Sequence, residues 1–254
     1  MTLYQALLLF LAGVGAGFVN VSAGGGSLLT LPALIFLGLP TAVANGTNRL
    51  AILIQCGVST GTFRRLGHDG LKLGLRLSVT AIAGAVLGSL VAVDTPDAVF
   101  RVVLSLVMVL ALIVILVRRK GKAGCPPDQP GAQTGVGHPR LQLLLFFLIG
   151  LYGGFIQAGV GYLQIFALYI VGGLSLVRTN CVKIMVTGIY LIPSLAVFIA
   201  DGKIAWLPAL VLALGAGTGG WLGTTFAVRK GEVWIKAVLA LAVLAMAGRL
   251  AGIY

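Results

Sequence analysis

Residues 17–49 read GFVNVSAGGGSLLTLPALIFLGLPTAVANGTNR, and residues 154–183 repeat that order as GFIQAGVGYLQIFALYIVGGLSLVRTNCVK. Each stretch contains an amide side chain, a glycine cluster, an apolar run and an asparagine close to a basic residue. Polar groups and helix-breaking glycines at matching places in two halves of a membrane chain indicate a substrate site between the repeats. The repeated pattern is therefore typical of a transporter.

The composition indicates a membrane protein. Apolar residues make up 59% of the 254 residues and charged residues only 9%, with a mean hydropathy of +1.07. A soluble domain of this length needs more charge to cover its surface. The net charge of +12 comes from basic residues between apolar runs, which is typical of cytoplasmic loops and argues against nucleic acid as a partner.

Apolar runs long enough to cross a bilayer recur along the chain, and we expect five in each half. They cover residues 3–21, 24–39, 41–64, 71–93 and 97–117, and then 141–158, 159–174, 175–200, 204–228 and 232–251. Turn residues separate the runs, and the last break is expected at Arg229-Lys230-Gly231-Glu232. The sequence predicts an all-α, polytopic membrane protein with eight to ten spans. Its membrane repeats are residues 1–117 and 141–254, joined by a cytoplasmic linker over 118–140.

Loop charges predict the orientation of the repeats. Basic residues at 64–76 and in the linker belong on the cytoplasmic side, and the Asp94–Asp97 turn between them faces outward. An odd number of segments in each half then gives the repeats opposite orientations, with glycine-broken helices at the centre. A parallel four-plus-four arrangement is the alternative.

The third segment of each half has a polar face at helical spacing. The faces are Asn45, Asn48, Ile52 and Gln55 in the first half, and Asn180, Lys183, Thr187 and Tyr190 in the second. Arg49 and Lys183 are expected near the membrane midplane, where a cation is costly and usually faces a cavity or a partner. All six acidic residues fall at segment ends or in the linker, so we expect an anionic ligand for these two cations. The alternatives are that Arg49 and Lys183 reach the headgroups, and that Asn45 and Asn180 bond between helices.

The glycine clusters are expected to break helices so that free backbone N–H groups point at a bound anion. Close helix packing is the alternative, and it is the interpretation that we prefer for Gly84, Gly88 and Gly215–Gly223. The expected substrate-binding residues are Asn20, Gly24, Gly25, Gly26, Ser27, Asn45, Asn48, Arg49, Gln157, Gly159, Gly161, Tyr162, Asn180 and Lys183.

No enzyme pattern is found in the sequence. It contains no HExxH motif and no GxSxG with a His and an acid inside the membrane, and the three cysteines are scattered. We therefore predict no catalytic residue, no metal site and no cofactor. The expected partners are a small anionic substrate and the lipid bilayer, while the coupling ion and the oligomeric state are left open. Without an acid in any segment, proton coupling would have to use the substrate, Tyr, Lys or water.

At these residues the chain resembles the sulfite exporter TauE/SafE family of membrane permeases. The resemblance is carried by the Gly24–Ser27 cluster followed by Leu31-Pro32, by Asn45-Gly46-Thr47-Asn48, and by a weaker second copy after the linker. The second copy differs in having Gln157 in place of Asn20, one glycine fewer and no proline matching Pro32. The resemblance implies movement of sulfite, sulfoacetate or another organosulfonate across a bacterial inner membrane.

The sequence therefore predicts a secondary transporter for a small sulfur-containing oxyanion, with alternating access around a central site between the repeats. The alternatives are an anion channel or facilitator, and a membrane-anchored assembly or accessory protein.

Overall fold

The computed structural model describes residues 1–22, 24–117 and 139–250, and their side chains over 1–22, 24–107 and 140–229. These residues form helices and short connections, with no strand among them, so the all-α prediction is confirmed. The helices are α1 (Leu3–Ser22), α2 (Ser27–Phe36), α3 (Thr41–Arg65), α4 (Leu71–Asp94), α5 (Asp97–Val117), α6 (Pro139–Phe155), α7 (Val160–Ile165), a π-helical turn (Phe166–Val171), α8 (Leu176–Ala200) and α9 (Trp206–Leu250).

Four stretches in the described part of the chain are long and apolar enough to cross a membrane. They are Leu3–Ser22, Leu71–Asp94, Leu176–Ala200 and Trp206–Arg229. Helix α3 has 25 residues but is not among them, because the polar face that carries Asn45, Asn48 and Arg49 lowers its hydropathy. The total of eight to ten spans stays a prediction.

Both predicted glycine breaks are present as helix ends. Helix α1 ends at Ser22, and the chain turns at Gly24 (φ +80°) before α2 begins at Ser27. In the second half α6 ends at Phe155, and Gly159 (φ +74°) precedes α7. A positive φ costs little only for glycine, so these two residues allow the sharp turns that separate the helices.

Helices α1 and α9 pack through glycines. A Cβ atom on Gly215 would overlap the backbone of Phe10 and Val14, and one on Gly219 would overlap the backbone of Val14 and Phe18. Since residue numbers rise together along both helices, α1 and α9 run in the same direction. Small residues allow backbones to approach this closely.

Helices α4 and α6 have the same arrangement. A Cβ atom on Gly84 would overlap the backbone of Phe147 and Leu151, and one on Gly88 would overlap Leu151 and Phe155. These helices are therefore also parallel to each other. The first helix of each half thus packs against the fourth segment of the other half, and the packing role predicted for these glycines is confirmed.

The predicted break at Arg229-Lys230-Gly231-Glu232 is wrong, because α9 continues through these residues to Leu250. Arg, Lys and Glu are good helix formers, and a single glycine costs only about 1 kcal/mol in a helix interior. Residues 118–138 of the predicted linker lie outside the described residues, and Pro139 and Arg140 begin α6. The division into two repeats and a linker stays a prediction.

Candidate functional site

The two glycine clusters meet at the centre of the molecule. A Cβ atom on Gly24 would overlap the backbone of Gly161, and one on Gly161 would overlap the backbone of Gly24. A Cβ atom on Gly25 would overlap the hydroxyl of Tyr162. The structure therefore brings together the matching motifs of the two halves, which lie far apart in the sequence.

The polar faces of α3 and α8 both point into the protein. On α3 the side chains of Asn45, Asn48 and Arg49 are fully buried. On α8 Asn180 is fully buried and Lys183 is 1% exposed. The cations therefore do not reach out to lipid headgroups.

The Arg49 guanidinium is bound by groups of the second half. It donates to the Gly154 carbonyl and the Ser194 hydroxyl at 2.5 Å each, and its central carbon lies 4.4 Å from the centre of the Phe198 ring. Gly154 is in the last turn of α6, where backbone carbonyls lack helical partners and carry the negative end of the helix dipole. Arg49 therefore acts as a cap for a helix of the opposite half.

The Lys183 ammonium makes the reciprocal contact with α1. It donates to the Asn20 carbonyl at 3.0 Å, the Val21 carbonyl at 2.9 Å and the Asn180 side-chain oxygen at 2.9 Å. Asn20 and Val21 are in the last turn of α1. Helix-end carbonyls therefore accept from both cations, and an anionic ligand at Arg49 and Lys183 stays a prediction.

A narrow cavity lies between the end of α1, the start of α2 and the middle of α3. Four of the predicted site residues line it, namely Asn20, Gly26, Ser27 and Asn48. Its volume is about 10 Å³, which is room for about one water molecule. Arg49, Asn45 and the predicted residues of the second half are not among its lining residues.

Sequence reasoning did not assign two polar residues that line the cavity, Thr30 and Gln55. Thr30 donates to the side-chain oxygen of Asn48 at 2.6 Å, and Gln55 accepts from the amide nitrogen of Asn20 at 2.6 Å. Thr30 lies one turn after Ser27, so its helical spacing on α2 was a usable signal. Gln55 was noted in the α3 face but was not proposed as a site residue.

Asn45, Asn48 and Asn180 are expected substrate-binding residues on α3 and α8, and they differ in their hydrogen bonds. Within the described part of the chain, the amide nitrogens of Asn48 and Asn180 have no hydrogen-bond partner. The Asn45 nitrogen donates to the Phe155 carbonyl at 2.9 Å, while its oxygen has no partner among the same residues. Asn48 alone of these three lines the cavity, so it presents a free donor there.

The second half forms a hydrogen bond equivalent to that between Asn20 and Gln55. The Gln157 amide nitrogen lies 3.1 Å from the Tyr190 hydroxyl, and Tyr190 occupies the place on α8 that Gln55 occupies on α3. One turn before Tyr190, Thr187 donates to Gln164 at 2.9 Å. The side chains of Gln157, Thr187 and Tyr190 thus bond within their own half.

The start of α2 places hydrogen-bond donors at the cavity. The first N–H groups of a helix have no helical partner and carry the positive end of its dipole. Gly26 and Ser27 at this helix start face the cavity together with the free amide of Asn48. The arrangement offers neutral hydrogen-bond donors to a group with exposed oxygens.

A model of the sulfite exporter TauE/SafE family matches residues 9–250. A probable membrane transporter protein, ORF9, from Sinorhizobium sp. is 31% identical over 95% of this chain and 90% of its own length. Probable membrane transporter proteins from Haemophilus influenzae and Escherichia coli K12 (YfcA) are each 28% identical, over 90% and 96% of this chain and 88% of their own lengths. No solved structure matches the chain significantly. The chain therefore belongs to the sulfite exporter TauE/SafE family of membrane transporters.

Proposed function

We propose that the protein is a secondary transporter that moves sulfite, sulfoacetate or another small organosulfonate across the bacterial inner membrane. The observation that carries this proposal is the amide nitrogen of Asn48, which has no partner among the described residues and is fully buried at a cavity by the start of α2. A buried polar atom without a partner costs about 1–3 kcal/mol. A ligand oxygen that accepts from this nitrogen removes that cost.

Oxyanions suit this cavity better than cations do. The lining side chains that carry polar atoms are Asn20, Ser27, Thr30, Asn48 and Gln55, and none of them is acidic. Cations usually require carboxylate, carbonyl or imidazole ligands, whereas helix N-termini favour anions. The family description favours sulfite or a related sulfur-containing anion.

Alternating access is the proposed mechanism. The parallel pairs α1 with α9 and α4 with α6 support inverted repeats. In that arrangement α1 and α3 run parallel to α9, whereas α4 and α6 run the opposite way. A cavity of about 10 Å³ corresponds to a closed conformation, since sulfite is several times larger than one water molecule. Binding then requires the two halves to move apart on one side of the membrane at a time.

Uptake of labelled sulfite, sulfoacetate and taurine into proteoliposomes tests this function. The comparison is between the wild type and Asn48→Ala, for which we expect a fall in uptake of about tenfold or more, since a lost buried hydrogen bond is worth about 1–3 kcal/mol. Ser78→Ala is the matched control, because Ser78 is buried in α4 and, among the described residues, its hydroxyl bonds only to the Gly74 carbonyl of its own helix. Equal uptake by Asn48→Ala and wild type would contradict the site, and no uptake by the wild type would contradict the function.

A further inference from the structure

We propose that Lys183 carries the proton that couples transport to a proton gradient, an inference that rests on the transport function proposed above. In the described structure its ammonium donates to acceptors from both halves. These hydrogen bonds therefore depend on the position of one half relative to the other.

The surroundings of Lys183 fit a protonated ammonium and not a neutral amine. Three oxygen atoms lie within 3.0 Å of its nitrogen, from Asn20, Val21 and Asn180. An ammonium has three N–H donors and satisfies all three oxygens. A neutral amine has two N–H groups and a lone pair, so it would leave one buried oxygen facing that lone pair. The closed conformation therefore selects the protonated form.

The charge of Lys183 is stabilised by these neutral acceptors and not by any acidic side chain that the structure describes. The ion pairs found among the described side chains are Asp97 with Arg101 and Asp201 with Lys203, and Lys183 has none. A buried charge is stabilised only by partners and hydrogen bonds. Two of its three acceptors belong to α1, in the other half. When α1 moves away from α8, the ammonium loses them.

Other titratable and charged groups around Lys183 do not replace these acceptors. On α3 the buried Cys56 thiol is close enough to interact electrostatically with Lys183, while the Arg49 guanidinium on the same helix donates to Gly154 and Ser194. On α8 itself Tyr190 follows two turns later and bonds to Gln157.

The faces of α1 and α4 that meet α8 bring no acid to Lys183. Helix α4 meets α8 through Gly70 and Gly74, which face Val182 and Met185, and α1 contributes backbone carbonyls. Asp69, which precedes α4, is exposed to solvent and follows His68, whose carbonyl accepts from the Cys181 thiol.

Asn20 connects the proton on Lys183 to the substrate cavity. The carbonyl of Asn20 accepts from Lys183, and the side chain of the same residue lines the cavity and bonds to Gln55. A substrate that displaces the end of α1 therefore also changes the surroundings of the ammonium. On the open side one N–H bond of Lys183 breaks, its electron pair stays on the nitrogen, and the proton passes to water. The reverse step reloads the lysine on the other side.

The test separates exchange from net transport. Wild type, Lys183→Arg and Lys183→Gln are reconstituted in proteoliposomes that contain a pH-sensitive dye. Exchange of labelled against unlabelled sulfoacetate or sulfite, without a pH gradient, requires only the loaded form of the transporter. Net uptake driven by a pH gradient requires the lysine to lose and regain its proton.

For the wild type we expect exchange, gradient-driven uptake and a dye response that follows the substrate. Lys183→Arg keeps a permanent cation, so we expect measurable exchange but a loss of net uptake of about twentyfold or more. Lys183→Gln cannot hold a proton, and we expect its dye response to fall to background. Lys203→Arg, a change at a lysine of the α8–α9 connection, is the control and should match the wild type.

Two results would overturn the inference. One is wild-type net uptake without a dye response, which does not depend on any variant being folded. The other is Lys183→Arg with net uptake at the wild-type rate, as expected if the substrate itself carries the proton. Absence of any exchange by the wild type overturns the proposed function instead.

Discussion

The two halves place different side chains at equivalent positions. Asn48 on α3 and Lys183 on α8 occupy the same place in the repeated helical face, yet Asn48 presents a free amide to a cavity and Lys183 places an ammonium against α1. Around them the scaffold is the same, since the bond between Asn20 and Gln55 has its counterpart between Gln157 and Tyr190. The difference leads us to propose a division of roles, with substrate contacts at Asn48 in the first half and the titrating cation at Lys183 in the second.

The largest effect is expected where the halves touch. Gly24→Ala places a Cβ atom on a residue with φ +80° and against the backbone of Gly161, so we expect a loss of unfolding free energy of about 4 kcal/mol from strain and overlap together. Gly161→Ala has the overlap without the positive φ and should lose about 2 kcal/mol. Unfolding by SDS in mixed micelles measures both.

Gly57→Ala is the control for these two variants, because no atom of the described residues lies within 4 Å of a Cβ atom at that helical position. A gain of about 0.5–1 kcal/mol is expected there from the higher helix propensity of alanine. Equal stabilities for Gly24→Ala and Gly57→Ala would show that the glycine clusters are not in contact.

A smaller effect is expected at the reciprocal caps. Arg49→Met keeps most of the side-chain volume but removes the bonds to Gly154 and Ser194, and we expect it to lower the unfolding free energy by about 2–3 kcal/mol. Arg101→Met, in an exposed ion pair with Asp97, should cost no more than about 1 kcal/mol. The same unfolding assay measures both, and similar losses for the two variants would contradict the capping role of Arg49.

The smallest effect is expected at the two equivalent hydrogen bonds. Tyr190→Phe removes the bond to Gln157 and should cost about 1 kcal/mol of stability, whereas Gln55→Leu removes the bonds to Asn20 and Ser59 and should cost about 1–2 kcal/mol. Only Gln55→Leu also releases Asn20, which lines the cavity, so only this variant should reduce oxyanion uptake, by about fivefold. Equal uptake by the two variants would break the proposed division of roles.

The helix breaks and the polar helix faces could be predicted from the sequence. The hydrogen-bond partners of the buried cations could not. The breaks at Gly24 and Gly159 and the inward faces of α3 and α8 follow from glycine chemistry and helical spacing, which a single segment contains. The partners of Arg49 and Lys183 are backbone carbonyls, and since every residue has one, no sequence pattern marks those of Gly154 or Val21. The continuity of α9 was missed because a cluster of charges with one glycine is compatible with either a turn or an exposed helix.

The packing of α1 on α9 has a consequence for biosynthesis. Gly215 and Gly219 receive the backbone of α1, yet they are translated only after most of the chain has left the ribosome. Helix α1 therefore remains without this packing partner until α9 has been inserted. An insertase or chaperone that shields this face of α1 during translation would protect the unfinished protein from proteolysis until α9 is inserted.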